Sequence, residues 1–271
     1  MKGLLLVVGF VMLLGGAAGA QRYLREGPGM PVRRAPQDRL FADGRFSFCK
    51  IMYKQVRLEP MGIGWWTDYP FAGVHLMVRA SELTRTPISR DGQEPSHWVV
   101  GLADDAIYQC PFVMASDVGT MGVNVAEADR LRDYLLKGGF LWVDDFWGEA
   151  AWEQWSTQIG KALPPSEFPI VDLAIDHPVF HTLFNLKAMP QVTNINNWRR
   201  TGDTIEQGEQ TRVPHLRAIL DRHGRVMVAM TFNTDIGDSW EREGEDPEFF
   251  RQFSSEGYAL GLDILMYALT H

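Results

Sequence analysis

Short apolar runs and longer amphipathic stretches alternate along the chain, separated by turns rich in glycine, proline and aspartate. Apolar runs of this length are typical of buried strands, and apolar side chains at helical spacing are typical of surface helices. The runs lie at residues 46–53, 98–100, 111–114, 140–143, 216–220 and 226–232. The amphipathic stretches lie at residues 68–84, 124–137, 149–163 and 247–269, and we expect Asp68 to N-cap the first of them. Their alternation indicates an α/β fold.

The clearest unit is a helix, a tight turn, a strand and a second helix. Asn124 precedes the first helix as an N-cap, and a pair of glycines ends it. The strand at 140–143 is entirely apolar, as parallel strands covered on both faces are, and it stops at Asp144 and Asp145. We therefore predict a three-layer, doubly wound, mostly parallel sheet. A loop-rich insertion at 176–210 and a C-terminal hairpin and helix complete it.

Residues 1–20 have the features of a secretory signal peptide. Lys2 precedes the apolar run 4–14, and small residues follow as far as Ala20. This order predicts export, to a periplasm, with cleavage between Ala20 and Gln21. An uncleaved membrane anchor is the alternative, although the apolar run is shorter than the ~20 residues that span a bilayer.

The rest of the chain predicts one domain over residues 41–271, preceded by a linker or arm at 21–40. The formal charge of −8 argues against a nucleic-acid binder, because phosphate contacts need a basic surface. Cys49 and Cys110 are too few for a thiolate zinc site. In an oxidising compartment they are either bridged or simply core residues, and the sequence leaves that question open.

Several stretches carry a family resemblance: residues 46–48 with Tyr53, 134–145, 176–181, 233–241 and the closing helix. The most specific is 134–145, in which two glycines, an apolar strand and two aspartates follow one another. On these residues the chain resembles the bacterial domain of unknown function 4159 (DUF4159) family, within the class I glutamine amidotransferase-like superfamily. The resemblance implies a flavodoxin-like sheet and no established activity. It also implies envelope partners, in a system with MoxR-type ATPases and von Willebrand A-domain proteins.

The amidotransferase chemistry of that superfamily is not expected here. Its enzymes carry a cysteine at a sharp strand-to-helix turn, supported by a His-x-Glu pair. In this chain the strand at 140–143 leads into Asp144 and Asp145, and none of the 7 histidines precedes x-Glu. Since a thiolate needs a nearby imidazole for activation, we predict that amidotransferase activity is lost.

Asp144 and Asp145 are the first candidate site. They follow a buried parallel strand, and ligands of open α/β sheets bind at that edge. Paired carboxylates there can hold a divalent cation or perform acid–base chemistry, and no other cofactor is predicted. The alternative is that one caps the next helix while the other pairs with a basic side chain.

His177, Asn233 and Asp235 are candidates to complete such a site. His177 and His181 would share one face of a helix, but the intervening proline disfavours a helix and favours histidines bonded to backbone. Asn233 and Asp235 begin an acidic loop that lacks the glycine of a calcium-binding loop. A solvated loop over the strand ends is its alternative interpretation.

Trp65, Trp66 and Trp147 lie near predicted strand ends, where an aromatic face can stack on a glycan or pack against a peptide. Packing in the core is the alternative. Two functions follow from these candidates. The preferred one is a non-catalytic or ligand-binding component of a cell-envelope complex. The other is a metal-assisted or acid–base hydrolase that uses Asp144 and Asp145.

Overall fold

A computed structural model describes residues 32–36 and 43–271, together with the backbone of Tyr23–Leu24. The main sheet contains β1 (Phe48–Met52), β2 (His97–Gly101), β3 (Phe112–Ser116), β4 (Phe140–Phe146), β5 (Ile170–Asp172), β6 (His215–Leu220) and β7 (Val226–Phe232). The helices are α1 (Phe71–Leu83), α2 (Val125–Leu136), α3 (Gly148–Ala162), α4 (Ile195–Thr201), α5 (Asp238–Glu241) and α6 (Ser255–Thr270). A helical turn at Pro247–Phe249 and a π-helical stretch at Phe250–Ser254 lead into α6.

Shorter elements fill the connections. Two-residue strands pair Tyr23–Leu24 with Val32–Arg33, Lys54–Gln55 with Met121–Gly122, and Arg90–Asp91 with Glu94–Pro95. Short 3-10 turns occur at Gly64–Trp66, Asp105–Gln109, Val118–Thr120, Pro178–Phe180 and Glu209–Thr211. Within the described ranges, no helix is long and apolar enough to cross a bilayer. The predicted signal peptide lies outside these ranges.

The seven strands of the main sheet are ordered β5-β6-β7-β4-β3-β1-β2. Strands β2, β1, β3, β4 and β7 run parallel, and β6 is antiparallel to both of its neighbours. This arrangement confirms the predicted mostly parallel α/β sheet. After β1 the chain forms β2 on one side of that strand, and it then crosses over to form β3 on the other side. The strand order therefore reverses between β1 and β3, and this position is a topological switch point. Ligands of such sheets bind there, at the carboxyl ends of the strands.

Two apolar cores cover the two faces of the sheet, which gives the three predicted layers. Helices α1 and α6 pack on one face, where Phe140 and Trp142 are buried. Helices α2 and α3 pack on the other, where Leu141 and Val143 are buried. Because successive strand residues point to opposite faces, a strand between two cores must be apolar at every position.

The helix starts show one correct prediction and one error. Asn124 caps α2 in a capping box with Glu127, as the sequence predicted for this position. The predicted N-cap at Asp68 is wrong, because α1 begins at Phe71 without a side-chain cap. Asp68 instead has a left-handed backbone, and its carboxylate accepts a hydrogen bond from a residue at the end of β3.

The structure settles whether Cys49 and Cys110 are bridged, which the sequence left open. Cys49 and Cys110 form a disulfide between β1 and the residue pair that precedes β3, with a Cα–Cα distance of 6.2 Å. Residues 32–36, which fall in the predicted linker, lie along β2, the strand at one edge of the sheet. Arg34 makes a parallel bridge to Val99 of β2. This part of the arm therefore packs against the domain.

Candidate functional site

At the carboxyl ends of the parallel strands, several non-glycine residues have a left-handed backbone. Asp68, Asp117, Asp145 and Asn233 have φ values of 65°, 53°, 54° and 58°. Asp117 and Asn233 directly follow β3 and β7, Asp145 is the next-to-last residue of β4, and Asp68 lies in the loop that leads from β1 to α1. Aspartate and asparagine tolerate this conformation better than other side chains, at some cost in energy. Such backbone strain concentrates at functional sites, which makes the carboxyl ends of the strands a candidate functional site.

Acidic side chains converge at this edge, and we refer to them as the carboxylate cluster. Its members are Glu59, Asp68, Asp117, Asp144, Asp145, Glu206, Asp235 and Asp238. All are buried except Glu206, which is partly exposed. The buried basic residue that faces them is Lys50, and three arginines contribute from the periphery: Arg57, Arg200 and Arg242. A buried charge without a partner is costly, so this excess of acid requires protons or a cation.

Three of these residues form an inner set. One carboxylate oxygen from each of Asp68, Asp235 and Asp238 lies within 4.8 Å of the others, and the side chains are 6%, 2% and 2% exposed. The backbone N–H of Asp238 donates to Asp235 at 2.9 Å, which fixes their separation. Burial raises the pKa of all three carboxyl groups. The inner set has the spacing of ligands around one metal ion.

Lys50 is connected to the inner set through a serine. Its Nζ donates to Ser116 Oγ at 2.6 Å and to the carbonyl of Thr67 at 2.8 Å. Ser116 in turn donates to Asp68 Oδ2 at 2.5 Å. Burial lowers the pKa of Lys50, and the surrounding carboxylates oppose that shift. Lys50 therefore supplies a positive charge close to the switch point.

Asp144 is fully buried and serves largely as an acceptor for the loop that follows β7. It accepts from the hydroxyl of Thr231, and from the backbone N–H groups of Ile236 at 3.3 Å and Gly237 at 2.8 Å. Burial raises the pKa of Asp144 to about 7, against the effect of these donors. Both oxygens of Asp144 therefore have partners, and its main effect is to hold residues 236–237 beside the inner set.

Asp145 faces a small pocket whose acidic lining residues are Glu59, Asp117, Asp145, Glu206 and Asp235. We call this the acidic pocket. Trp147 Nε1 donates to Asp145 Oδ1 at 3.0 Å. Burial and the neighbouring carboxylates, Asp68 first, raise the pKa of Asp145 well above its usual range. The free space in the pocket holds about one water molecule, so a single ion or ammonium group fits and a sugar ring does not.

Glu59 and Asp117 form a carboxyl pair at the wall of the acidic pocket. Their side chains are hydrogen bonded to each other, which requires one proton between them. Asp117 also accepts from the backbone N–H of Gly64 at 2.7 Å. Burial, with Glu59 and Asp68 adding to it, raises the pKa of Asp117 to about 8. At neutral pH without a cation, this pair is held together by the shared proton.

The tryptophans that were candidates for stacking on a glycan or peptide are buried. Trp65 and Trp66 lie against each other with ring centroids 4.6 Å apart, and Trp66 packs edge-on against Tyr69 at 5.3 Å. Their exposed fractions are 7% and 6%, so they present no open face to a sugar. Trp147 does reach the acidic pocket, where it is a hydrogen-bond donor to Asp145.

Asn233 is close to the cluster but has a structural role in this conformation. Its Oδ1 accepts from the backbone N–H of Gly148 at 2.9 Å, and its Nδ2 donates to the carbonyl of Val213 at 3.1 Å. The side chain therefore joins the end of β7 to the start of α3. Asp235, two residues later, belongs to the inner set.

His177 lies near the amino ends of the parallel strands, at the opposite end from the carboxylate cluster. The centroid of its ring lies 6.0 Å from that of Tyr267. The hydroxyl of Tyr267 accepts a hydrogen bond from the backbone N–H of Val226, the first residue of β7. The carboxylate cluster follows the other end of that strand, roughly 20 Å away. His177 Nδ1 accepts from Val179 at 3.2 Å, as expected for a histidine bonded to backbone. The structure does not join His177 to the aspartates.

Sequence reasoning placed Asp238 only in the acidic loop, and it missed five further residues of the site: Lys50, Glu59, Asp68, Asp117 and Glu206. A usable signal existed for two of them. Lys50 interrupts an otherwise apolar strand, and Asp117 directly follows β3 just as Asp144 ends β4. Glu59 and Glu206 lie in irregular loops, where no periodic pattern indicates which way a side chain points.

Comparisons with known proteins bear on the family alone. No curated protein matches this chain. The family model for a domain of unknown function (DUF4159) matches residues 49–269, a stretch that contains all of the carboxylate cluster. Because this match covers most of the chain, the protein belongs to the DUF4159 family.

Proposed function

We propose that this protein is an exported, ligand-binding component of a cell-envelope complex, and that its strand-end site holds a divalent cation. The observation that carries the proposal is the charge imbalance of the carboxylate cluster, in which many buried carboxylates face Lys50. Without a cation, that imbalance is relieved by protons, as the raised pKa values of Asp117 and Asp144 indicate. A divalent cation relieves it while the carboxylates stay ionised.

The donor set favours a hard cation. The inner set offers carboxylate oxygens, and within the described residues no histidine or cysteine belongs to that group. Mg²⁺, Mn²⁺ and Ca²⁺ prefer oxygen ligands at about 2.0–2.6 Å, so two ligands on one ion lie up to about 5 Å apart. The 4.8 Å limit within the inner set fits that requirement. Asp68, Asp235 and Asp238 would hold the ion, beside the charge of Lys50.

Export and envelope partners are part of the same proposal. The signal-peptide features of residues 1–20 support export, and the bond between Cys49 and Cys110 is suited to an oxidising compartment. The family resemblance supports partners in a system with MoxR-type ATPases and von Willebrand A-domain proteins. Loss of amidotransferase chemistry is also proposed, since an aspartate pair stands where those enzymes place the cysteine.

The test is a calorimetric titration of chelator-treated mature protein with Mn²⁺, Mg²⁺ and Ca²⁺ at pH 8. We expect stoichiometric binding of at least one cation, lost in Asp235→Asn and Asp238→Asn. Asp133→Asn is the matched control, because Asp133 lies on the exposed face of α2 and pairs with Lys137. Failure of all three cations to bind the wild-type protein would contradict the proposal.

A metal-assisted hydrolase is the second candidate, and one observation favours it. Asp145 lies at a sharp strand-to-helix turn with a left-handed backbone, and it faces the acidic pocket. Catalytic residues of α/β hydrolases occupy such strained turns. A screen of ester, amide and phosphodiester substrates with Mn²⁺ tests this. Turnover that Asp145→Asn abolishes, while cation binding persists, would favour catalysis over binding.

A further inference from the structure

The loop that covers the acidic pocket exposes several apolar side chains to solvent. Val56, Leu58, Met61 and Ile63 are 53%, 82%, 42% and 53% exposed. Single exposed apolar residues are common on protein surfaces, but these four concentrate apolar surface within residues 56–63, and concentrated apolar surface marks interaction sites. We call these four residues the apolar rim.

The inner side of the same loop is acidic and fixed to the domain. Glu59 contacts Arg57 and shares a proton with Asp117, and Arg57 also donates to the carbonyl of Gly119 at 2.9 Å. Met61 belongs to both surfaces, since it is exposed and also lines the acidic pocket. The apolar rim therefore borders the mouth of a pocket whose lining is negative.

We propose that the apolar rim and the acidic pocket together bind an extended segment of a partner protein, in which one lysine is flanked by apolar side chains. An ammonium group is close to the size of a water molecule, and the pocket holds about one. The carboxylates of the pocket are complementary to its charge, while the flanking side chains bury apolar area on the rim. The proposal rests on the proposed function, because it uses the same strand-end site.

A cation in the inner set and a lysine in the pocket are compatible. Asp235 is shared by both groups, while the other pocket residues lie outside the inner set. An incoming ammonium group favours the ionised form of the pocket carboxyl groups, because an opposite charge lowers their pKa, and it then neutralises their negative charge. The same charge argues for a protein partner over an anionic membrane, whose phosphates the pocket would repel.

The experiment uses an array of seven-residue synthetic peptides and the mature protein in Mg²⁺. The central residue is lysine, arginine, glutamate or serine, and the flanking residues are either leucine and valine or serine. We expect the lysine peptides with apolar flanks to bind best, and at least tenfold weaker binding by the variant Leu58→Ser/Ile63→Ser. Both side chains are exposed, so this variant should fold. Val125→Ser, at an apolar residue 78% exposed on α2, is the control.

Three outcomes would overturn the proposal. One is binding that does not depend on the central lysine, or on Leu58 and Ile63. Another is association with phosphatidylglycerol vesicles, lost in the double variant, in place of peptide binding. The third is self-association lost in the same variant, which would assign the rim to a second copy of this chain. A parallel Mn²⁺ titration separates this proposal from the cation site, because the double variant should bind Mn²⁺ as the wild type does.

Discussion

The hydroxyl of Ser116 donates a hydrogen bond to the carboxylate of Asp68, with an Oγ–Oδ2 distance of 2.5 Å. A serine has a single hydroxyl proton, so Ser116 must accept the bond from Lys50. The result is a directed chain from ammonium to hydroxyl to carboxylate across the switch point between β1 and β3. It favours ionised Asp68, and it makes Lys50 the internal counter-charge of the cluster.

Replacement of Lys50 should therefore destabilise the cation-free protein. Lys50→Met keeps the length of the side chain but leaves the carboxylates without their buried partner. Loss of its charge and of its hydrogen bonds to Ser116 and Thr67 leaves buried acceptors unsatisfied, which should lower the free energy of unfolding by about 1–3 kcal/mol. Urea denaturation in chelator at pH 8 measures the loss, and saturating Mn²⁺ should recover part of it. An unchanged denaturation midpoint would show that Lys50 does not balance the cluster.

Stability of the cation-free protein should fall as pH rises. Burial raises the pKa of Asp144 and Glu206 to about 7 and of Asp117 to about 8 in the folded state. The unfolded chain has ordinary carboxyl pKa values, near 4. Between pH 4 and these raised pKa values the folded state binds more protons than the unfolded chain does. Each unit rise in pH therefore lowers the free energy of unfolding by up to about 1.4 kcal/mol per group. Above the folded pKa values the loss is complete.

Thermal unfolding between pH 5 and 8.5 tests this dependence. In chelator, the melting temperature should decrease steadily over that range. A bound divalent cation favours the ionised carboxylates, so Mg²⁺ or Mn²⁺ should stabilise the protein most at the alkaline end. A melting temperature that rises from pH 5 to 8.5 in chelator would contradict the raised pKa values.

Asp145→Asn should stabilise the cation-free protein. Asparagine tolerates the left-handed backbone at this position and keeps an acceptor for Trp147, but it carries no charge. We expect the cation-free variant to be more stable than the wild type at pH 8, because a repelled carboxylate is removed. Asp145→Ala, which retains the strain and loses the acceptor, is the comparison. Equal melting temperatures for the two variants would exclude a role for the backbone and the Trp147 bond.

The architecture could be predicted from the sequence because its determinants are local and periodic. Runs such as 140–143 are apolar at every position since both faces of the sheet are covered, and Asn124 lies in a cap motif that is short in sequence. The strand-end rule located Asp144 and Asp145 for the same reason. These are features that neighbouring residues in the chain determine.

The rest of the site depends on contacts between distant segments. Asp68 resembles a helix cap in sequence, and only the return of the chain to β3 brings it beside Ser116. His177 and Asp235 both lie in polar loops, but the sequence does not say which edge of the sheet each loop occupies. Glu206 reaches the cluster from the insertion after β5, where no periodicity constrains the side chain.

The disulfide should contribute strongly to stability. Cys49 and Cys110 are buried and 61 residues apart in sequence, so the bond removes much of the freedom of the unfolded chain. A loop of this size corresponds to about 4 kcal/mol in the free energy of unfolding. Cys49→Ala/Cys110→Ala and the reduced wild-type protein should lose similar amounts in urea denaturation. A reduced protein as stable as the oxidised one would contradict this prediction.

Gly237→Ala should place a methyl group beside the inner set, where it would hinder cation binding without disturbing the backbone. A Cβ at Gly237 would lie 2.9 Å from Asp68 Oδ2 and 3.5 Å from Asp144 Oδ2, so it would intrude between two carboxylates. The backbone of Gly237 is already helical, with φ −56°, and alanine adopts it readily. We expect the variant to fold and to bind Mn²⁺ at least tenfold more weakly in calorimetric titration.

Gly160→Ala is the matched control for that experiment. Gly160 lies within α3, and an added Cβ would meet one atom, Pro165 Cδ, at 3.8 Å. The same substitution there should raise the free energy of unfolding by about 0.5–1 kcal/mol and leave Mn²⁺ binding unchanged. If Gly237→Ala bound Mn²⁺ as tightly as Gly160→Ala, the cation could not be held between Asp68 and its neighbours. The assignment of the inner set as the metal site would then fail.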